Sequence, residues 1–583
     1  MARSQFQKLA TYLRPHWSTV TLGVGSLLVV NLLGVWIPLL IRDGIDELQV
    51  TFSYSRVIYY AAIVLVLASI MWIIRMVSRI SLFGVGRQVE FNLKQRIFDH
   101  LLQMEPAYFS RNTPGELISR ATSDVDNIRR LVGFAILSIA NTLFAYALTV
   151  PVMISINLRL TFIALLVYPL MLVLVQMFGN RLRLEQLKVQ ERLADLSDLV
   201  QEDMSGIALI KIYGQEANEA RAFEELNQNL LKANLALAST RSSLFPLLGG
   251  LASISLLAVL ATGAGAIADG YLTIGDFVAL LIYVERLVFP TALLGFTITA
   301  YQRGEVSIDR VETILEAEPK IKDNPTALAL PLKQVKGTIE ARHLTYTYPD
   351  NPAPALDRVS FTIHAGERVA IVGPIGSGKS TLANALPRLL EVNPGQLWLD
   401  GIDITQVQLH DLRQAIAYVP QDSFLFSATI NNNIRYGLPQ LEPAEVHHAA
   451  QQAQIDSEIE NFPRQYETLV GERGITLSGG QRQRTALARA LVIDAPILVL
   501  DDALSSVDNR TATAILDALS TDTRQKTVVF ISHQMSAAAT ADRIFVMDRG
   551  QIVQMGTHAE LVAMAGLYRR LWDQHHLEAV LES

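Results

Sequence analysis

The clearest chemical signal in the sequence is a glycine-rich loop that follows a short apolar run. Its residues are Gly373, Pro374, Ile375, Gly376, Ser377, Gly378, Lys379, Ser380 and Thr381. They fit the pattern G-x-x-x-x-G-K-[ST], in which glycines let main-chain N–H groups close around phosphates at a helix N-terminus. Lys379 then reaches the β- and γ-phosphate oxygens, and the Ser380 hydroxyl binds Mg²⁺. The loop therefore predicts binding of a nucleoside triphosphate with Mg²⁺.

Two further patterns in the same half of the chain can act on phosphates. The apolar run Ile497–Leu500 ends in Asp501 and Asp502, and a carboxylate at a sheet edge beside a phosphate loop can hold the water shell of the metal. We assign that role to Asp501. Upstream, LSGGQ contains Ser478, Gly479, Gly480 and Gln481 and opens a helix with two glycines, which is again an anion-binding geometry. The chain thus has one phosphate-binding helix start more than its own nucleotide needs.

The elements that must position these loops alternate between short β-branched runs and helical patterns. The predicted strands are Arg368–Val372, Gln396–Leu399, Ile497–Leu500, Thr527–Ser532 and Ile544–Met547. Such alternation is typical of βα units around a largely parallel sheet. This half of the chain is therefore expected to be an α/β domain.

The first 300 residues have a different character, with six long apolar stretches. They cover residues 17–41, 57–74, 131–158, 160–180, 242–268 and 277–300, and only the last is interrupted, by Glu285 and Arg286. A stretch of about 20 apolar residues crosses a hydrocarbon core of about 30 Å. A buried core helix would explain one or two such stretches but not six. The first is too long for the apolar part of a signal peptide and is interpreted as a retained span.

Basic residues set the predicted topology of these spans. The two long connections, between spans two and three and between spans four and five, are rich in Lys and Arg, which places them in the cytoplasm by the positive-inside rule. The N-terminus and the α/β domain are then cytoplasmic as well. We expect a multi-pass protein of the plasma (inner) membrane, in contact with membrane lipid.

Both long connections are expected to be helical extensions of the spans, because they contain few helix breakers. Turn signals mark where each hairpin reverses, at Asn112–Glu116 in the first and at Ile212–Glu216 in the second. These tips are predicted to lie farthest from the membrane, where they are placed to touch a nucleotide-binding domain. The alternative is that they are plain solvent-exposed loops.

Composition agrees with two parts in different surroundings. Half of the 583 residues are hydrophobic, 18% are charged and mean hydropathy is +0.27, which is high for a soluble protein. We predict a transmembrane domain over residues 1–315, a proline-containing linker over 316–337 and an ATPase domain over 338–583. The last contains 19 Lys and Arg against 28 Asp and Glu, so nucleic acid is not an expected partner. The absence of Cys excludes disulfides and thiolate metal sites.

With these motifs in this order, the whole chain resembles an ABC exporter half-transporter. The resemblance implies an all-α six-helix transmembrane domain followed by an α/β P-loop ATPase, with ATP and Mg²⁺ as cofactors. It also implies dimerisation, because in that family the LSGGQ segment faces the ATP held by the P-loop of a second half-transporter. The residues Ser478–Gln481 would then act on the partner's nucleotide.

The resemblance assigns further roles by position. Tyr348 looks like the aromatic residue that stacks on adenine, Gln421 like the Q-loop residue at the metal, and His533 like the switch histidine at the γ-phosphate. Ser505–Asp508 resembles the D-loop, and Gly471–Gly474 the loop that meets the intracellular hairpins. By the family's pattern, Glu472 and Arg473 are the charges that receive the hairpin tips. Taken singly, Tyr348 reads equally as a strand aromatic, Gln421 as a turn amide and His533 as a helix cap.

One position departs from the family pattern. After Asp501 the family has Glu, the general base, whereas this chain has Asp502. The shorter side chain ends about 1.5 Å earlier, and misplacements near 1 Å cost on the order of 10²-fold in rate. The departure is typical of the degenerate-site subunit of heterodimeric exporters and predicts slow hydrolysis at this chain's own site. A small backbone shift that restores the reach of Asp502 is the alternative.

Three functions therefore stay open at this point. The favoured one is ATP-driven export of an unidentified drug, lipid or peptide by one subunit of a heterodimer. The others are a homodimeric exporter with two slow sites and a membrane subunit that senses nucleotide without transport. Glu285 and Arg286 are costly in lipid and are candidates for the substrate path.

Overall fold

The computed structural model describes residues 5–349, 351–471, 474–507, 511–512, 514–515 and 526–582. The chain divides into two compact units. The first comprises Met1–Leu102 and Thr113–Ala317, and the second comprises Gln103–Asn112 and Glu318–Ser583. The second unit therefore includes ten residues from the first long connection. The predicted linker over residues 316–337 stays a prediction.

The first unit is entirely helical in its described part. Its helices, together with the two short ones at the hairpin tips, are α1 (Gln5–Leu13), α2 (Trp17–Val50), α3 (Tyr54–Leu101), α4 (Pro106–Arg111), α5 (Pro114–Ser119), α6 (Val125–Arg130), α7 (Ile136–Ile156), α8 (Leu158–Leu165), α9 (Tyr168–Ser205), α10 (Ile207–Tyr213), α11 (Glu216–Ala268) and α12 (Ile274–Leu315). Two π-helical segments, Arg120–Asp124 and Leu131–Ala135, join α5, α6 and α7 into one bent helix.

The six predicted spans are confirmed. Six helical stretches of the described chain are long and apolar enough to cross a membrane, the longest being α11 with 53 residues. At 1.5 Å per residue α11 is about 80 Å long, far more than a bilayer core needs. The spans therefore continue as helices beyond the membrane, as the scarcity of Pro and Gly predicts.

The hairpin tips differ in detail from their predicted positions. Each reversal contains a short helix between two breaks: α4 in the first tip and α10 in the second. The turn signals marked only the later break, Asn112–Thr113 in the first tip and Gly214–Gln215 in the second. Glu116, predicted in a turn, lies in the first turn of α5, which the Thr113 side chain caps. Pro106 begins α4 at the first helical position, where its missing N–H costs nothing.

The second unit contains two sheets, and the predicted α/β class is confirmed. The strands are β1 (Ile339–Tyr346), β2 (Leu356–Ile363), β3 (Arg368–Val372), β4 (Leu397–Leu399), β5 (Ile402–Asp403), β6 (Ile416–Val419), β7 (Ile497–Asp501), β8 (Thr527–Ile531), β9 (Arg543–Asp548) and β10 (Gln551–Gly556). A four-stranded sheet has the order β2-β1-β4-β5, and a six-stranded sheet has the order β10-β9-β3-β8-β7-β6.

The central strands of the larger sheet run parallel to one another. β3 pairs with β8 and β9, and β7 pairs with β6 and β8, all in parallel. The side chains of β7 and β8 are buried on both faces, as expected for inner strands. The helices of this unit are α13 (Lys379–Ala385), α14 (Leu409–Gln414), α15 (Ile430–Ile434), α16 (Pro443–Gln452), α17 (Asp456–Glu460), α18 (Gly479–Leu491), α19 (Met535–Ala538), α20 (His558–Ala563) and α21 (Leu567–Glu582).

Candidate nucleotide site

The sheet brings four of the predicted motifs to one edge. The phosphate loop follows β3, Asp501 ends β7, His533 comes two residues after β8 and Gln421 two residues after β6. These four strands are neighbours in the order β3-β8-β7-β6 and run parallel. Because the carboxyl ends of parallel strands meet at the same edge, motifs that are 32 to 160 residues apart in sequence gather there.

The phosphate loop has the backbone of an anion cradle. Gly376 and Gly378 have φ values of 79° and 98°, a region that L-residues rarely adopt. A side chain at Gly378 would collide with the Ala355 carbonyl, whereas the space beside Gly376 is open. Among the described residues, the buried Ser377 hydroxyl has no hydrogen-bond partner. Helix α13 begins at Lys379, so its free N–H groups face the loop.

Lys379 is held inside this loop. Its ammonium donates hydrogen bonds to the carbonyl oxygens of Gly373 (2.8 Å) and Pro374 (2.9 Å). Burial lowers the pKa of Lys379, and the carboxylates of Asp502 and Asp501 act against that shift. The lysine is thus a buried cation held by neutral carbonyls, which is a site prepared for phosphate oxygens.

The predicted magnesium residues Ser380 and Asp501 are in direct contact. The Ser380 hydroxyl donates to a carboxylate oxygen of Asp501 at 2.8 Å. The Tyr418 hydroxyl donates to the other oxygen at 3.4 Å and to Asn384 Oδ1 at 2.8 Å. Burial raises the pKa of Asp501, an effect that these hydrogen bonds oppose. A hydroxyl and a carboxylate beside a phosphate loop form a donor set that suits Mg²⁺. The bound ion would neutralise charge on the phosphates.

Asp502 occupies a constrained position next to that pair. It has a φ of 52°, and its side chain is nearly buried. Burial raises the pKa of Asp502, while the neighbouring His533, a hydrogen bond from Ser505 and the His533 main-chain N–H act in the opposite direction. His533 itself is exposed. The structure therefore brings the predicted base and the predicted switch histidine together.

Gln421 and Tyr348 lie at the margins of the site. Gln421 is exposed in the loop after β6. Tyr348 is 37% exposed, and its hydroxyl lies 3.3 Å from Thr381 Oγ1 at the start of α13. Its ring packs edge-on against Tyr346, with the ring centroids 5.0 Å apart. Part of the Tyr348 ring is therefore exposed close to the phosphate loop, and its stacking on adenine stays a prediction.

The LSGGQ segment forms a capped helix start. Ser478 Oγ accepts from the Gln481 N–H at 3.2 Å, and Gln481 Oε1 accepts from the Ser478 N–H at 2.9 Å. This capping box leaves the N–H groups of Gly479 and Gly480 at the N-terminus of the 13-residue helix α18. A side chain at Gly480 would meet the carbonyl oxygen of Ser506. The segment therefore has the geometry of a capped helix N-terminus, and its binding of phosphate stays a prediction.

Gln483 links this helix to the predicted D-loop. Its side-chain oxygen accepts from the Ser506 N–H at 2.8 Å, and its amide nitrogen donates to Ser505 Oγ at 2.9 Å. These two hydrogen bonds couple Ser505 and Ser506 of the D-loop to the signature helix. Asp508 lies outside the described residues, as do Glu472 and Arg473, so their predicted roles stay predictions.

Sequence reasoning missed Glu458, which holds the signature from outside the motif. Glu458 lies on α17, and its two carboxylate oxygens contact Gln481 Nε2 at 2.9 Å and Arg484 Nη2 at 2.7 Å. Tyr418 was missed in the same way. No motif contains either residue. The structure places Glu458 at the third residue of the short helix α17 and Tyr418 inside the apolar strand β6, and neither position has a local sequence signal.

Known proteins resemble the chain over almost its full length. Residues 18–291 match the family model described as the ABC transporter transmembrane region, and residues 356–505 match the one described as ABC transporter. A probable multidrug resistance ABC transporter ATP-binding/permease protein of Bacillus subtilis, YheI, is 34% identical over 98% of both chains. The multidrug resistance-like ATP-binding protein MdlA of Escherichia coli is 32% identical over 99% of this chain and 98% of its own.

A lipid exporter and a solved structure extend the likeness. An ATP-dependent lipid A-core flippase of Syntrophus aciditrophicus is 31% identical over 97% of this chain and 94% of its own. The structure of a bacterial Atm1-family ABC exporter with ATP bound matches with a TM-score of 0.77 and 26% identity, over 96% of this chain and 99% of that chain. The chain therefore belongs to the ABC transporter family, as a multi-pass exporter half-transporter whose cytoplasmic ATPase domain couples ATP hydrolysis to transport.

Proposed function

We propose that this chain is the degenerate-site subunit of a heterodimeric exporter. ABC exporters work as dimers of half-transporters, so each chain contributes a P-loop half to one ATP site and a signature half to the other. The observation that carries the proposal is the contrast between Asp502, where the family has Glu, and a signature whose capping box is complete. The site on this chain's P-loop would bind ATP and hydrolyse it slowly.

The surroundings of Asp502 support a limit of reach rather than of basicity. A raised pKa makes a carboxylate a stronger base once it is deprotonated, and burial raises the pKa of Asp502. The side chain, however, is about one C–C bond shorter than Glu, and Ser505 and the His533 N–H already hold it. The distance from the Asp502 carboxylate to the attacking water therefore limits the rate of ATP hydrolysis at this site.

The second hairpin tip supports the need for a partner. Its short helix α10 has four exposed apolar side chains, Ile207, Leu209, Ile212 and Tyr213, of which Ile212 is 74% exposed. The second unit has exposed aromatic rings of its own, Phe424, Phe426 and Tyr436, stacked beside Arg489. Apolar patches of this kind mark interaction surfaces. We propose that α10 docks on the aromatic patch of the partner subunit.

The first tip behaves differently. Its residues Gln103–Asn112 group with the second unit of the same chain, where Glu105 accepts a hydrogen bond from the Lys320 N–H at 3.2 Å. The first tip thus packs with the second unit of its own chain. The apolar side chains of α10 in the second tip are instead exposed. Rigid helices from both tips to the spans would transmit closure of the ATP sites to the transport path.

Copurification tests the composition of the dimer. The tagged chain is extracted from its source membrane, and the intact complex is weighed by native mass spectrometry. A second, similar chain of different mass is expected. A complex of two identical chains with normal ATPase turnover would contradict the heterodimer and favour the homodimeric exporter.

Crosslinking tests the exchange of the second tip. A Cys at Tyr213 is paired with a Cys at the position of Tyr436 in the partner's aromatic patch, with Cys at Leu184 in place of Tyr213 as the control. A short rigid crosslink between chains should leave ATP binding intact and block transport. Efficient crosslinking within one chain, and none between chains under any nucleotide condition, would contradict the docking.

The cargo is proposed to be a hydrophobic or amphiphilic molecule that enters from the lipid phase. Relatives named for multidrug resistance and for lipid A-core flipping support this class over a hydrophilic solute. Uptake into inside-out vesicles, driven by ATP and measured against a hydrophilic control solute, tests it. Equal stimulation of uptake for both classes of solute would contradict the proposal.

A further inference from the structure

A polar cluster lies within the membrane spans and has no role in ATP chemistry. Arg286 on α12 donates from Nη2 to the Asn31 carbonyl oxygen at 3.3 Å and to Asn31 Oδ1 at 3.2 Å. Asn31 on α2 is buried and donates from Nδ2 to Asn141 Oδ1 on α7 at 3.2 Å. The hydrogen-bonded chain Arg286–Asn31–Asn141 therefore joins three spans, and Asn31 holds the guanidinium inside the bundle.

The Arg286 guanidinium packs directly against the backbone of α2. The guanidinium of Arg286 occupies the space that any side chain at Gly34 would fill. One residue further along α2, the Val35 carbonyl accepts a hydrogen bond from the buried Tyr283 hydroxyl at 2.6 Å. The α12–α2 contact is thus held rigidly one turn away from Arg286. A flexible arginine that merely reached towards lipid headgroups would need neither feature.

The hydrogen bonds leave the charge of Arg286 without compensation. In the part of the chain that the structure describes, no carboxylate lies within ion-pair distance of Arg286. Asn31 engages one of the guanidinium nitrogens, whereas the group has five N–H donors. Glu285 is exposed and, as the adjacent residue, points about 100° away around the helix. The half-buried guanidinium therefore retains donors for a further acceptor.

Two more arginines add to the same charge. Arg75 and Arg79 are exposed, one turn apart on α3, and neither forms an ion pair among the described residues. Repulsion from Arg75 acts on both Arg79 and Arg286. Charged side chains without a counterion inside a membrane span cost free energy and tend to mark ligand or ion pathways. An anion placed among them would offset that cost.

We propose that Arg286, with Arg75 beside it, binds the phosphate or carboxylate group of an amphiphilic substrate. Asn31, itself hydrogen-bonded to Asn141, orients the Arg286 guanidinium so that its remaining N–H groups donate to two oxygens of one oxyanion. The apolar part of the substrate remains among the spans. The proposal rests on the proposed export function, and it names the charge of the cargo. Planar, bidentate recognition explains why an arginine stands here.

Binding without ATP tests the anion site by itself. The purified complex in nanodiscs is titrated with phosphatidic acid and with diacylglycerol of the same acyl chains, which lacks the phosphate. Phosphatidic acid should bind more tightly, and Arg286→Gln should lower its affinity about tenfold or more, as loss of a charge-assisted hydrogen bond predicts. Arg286→Lys should lose less. Equal affinity for the two lipids, or no change in Arg286→Gln, would overturn the site.

Two variants guard against a folding artefact. Asn31→Asp places an internal carboxylate beside Arg286, so it should lower phosphatidic acid affinity while preserving the melting temperature. Arg87→Gln is the control, because Arg87 already pairs with Glu90 at 2.9 Å, and it should leave that affinity unchanged. An Asn31→Asp protein that is well folded and binds phosphatidic acid as wild type does would contradict the proposal.

Transport separates a substrate site from a resident lipid site. Proteoliposomes are assayed for ATP-dependent movement of acyl-labelled phosphatidic acid between leaflets, and dodecyl phosphate is added as a soluble competitor. Loss of movement in Arg286→Gln, with unchanged ATP affinity, supports the substrate role. If dodecyl phosphate inhibits the movement of phosphatidic acid, the site accepts free anionic amphiphiles. If it does not, the site is specific for phospholipid. Both results are consistent with an anion site at Arg286. Binding without any movement, in a complex that moves other amphiphiles, overturns the substrate role, whereas failure to move any amphiphile overturns the export function instead.

Discussion

The P-loop half of this chain departs from the family pattern at one position, whereas the signature half matches it. The P-loop half has its cradle, its buried Lys379 and the Ser380–Asp501 pair, but the residue at the general-base position is the short Asp502. The signature half is complete, and Glu458 and Gln483 hold it from two sides. In the proposed dimer each half serves a different ATP, so the chain would contribute unequally to the two sites. The difference favours a partner whose own P-loop half is complete.

The largest expected effect follows from changing the signature half. Ser478→Arg places a cation and extra bulk where the partner's γ-phosphate must approach, so turnover should fall by about 10² or more, the scale seen when transition-state stabilisation is removed. Steady-state ATPase of the complex measures it. Ser478→Ala, which loses only the cap, should be milder. Near-normal turnover in Ser478→Arg would break the cross-chain arrangement.

The next effect concerns nucleotide binding by this chain. Lys379→Ala removes a buried cation and leaves the Gly373 and Pro374 carbonyls without their donor, so labelling of this chain by a photoreactive ATP analogue should fall about tenfold or more. Labelling of the partner should persist. Lys333→Ala, at an exposed lysine outside the site, is the matched control. Unchanged labelling in Lys379→Ala would show that the loop is wrongly assigned.

A smaller effect is expected from the support of the signature. Glu458→Gln keeps an acceptor for Gln481 but loses the charge that pairs with Arg484. The rate constant kcat should fall a few-fold, about the effect of one partly exposed ion pair, while the KM for ATP stays near its wild-type value. Glu460→Gln on the same helix should change neither. A rise in KM without a change in kcat would indicate a general effect on the ATPase fold.

The smallest effect is expected at Asp502. With the partner present, Asp502→Asn should lower turnover less than about twofold, because the competent base lies on the other chain. Asp502→Glu restores the family length and should raise turnover modestly. Single-turnover ATPase on the assembled complex measures both. A loss in Asp502→Asn as severe as that from removing the partner's base would erase the difference between the two halves.

Much of this architecture could be predicted from the sequence because its signals are local. Six apolar stretches predict six spans, since a hydrocarbon core accepts little else, and the five predicted strands all exist with ends shifted by at most a residue or so. The strands β1, β2, β5, β6 and β10 were not predicted. Several of them are short or only half-buried, so their apolar pattern is weak.

The tips and the supports of the site were beyond local patterns. The short helices α4 and α10 lie between two breaks, and the turn residues signalled only one of each pair. Glu458, Gln483 and Tyr418 act through partners 23, 23 and 83 residues away. Which side chain meets which depends on strand order and helix packing, and neither is written in the neighbouring sequence.

The sequence by itself determined the chemistry: a triphosphate loop, a metal carboxylate, a second phosphate-binding helix start and a short acid at the general-base position. Residue type and spacing suffice there, because a phosphate cradle is made by a few consecutive backbone groups. Only the tertiary structure shows which distant residues complete each half and that Arg286, one charged residue in an apolar run, is held by Asn31 with no counterion among the described residues. Such contacts arise from parallel strands that share an edge and from spans packed side by side, so they join residues that lie far apart along the chain.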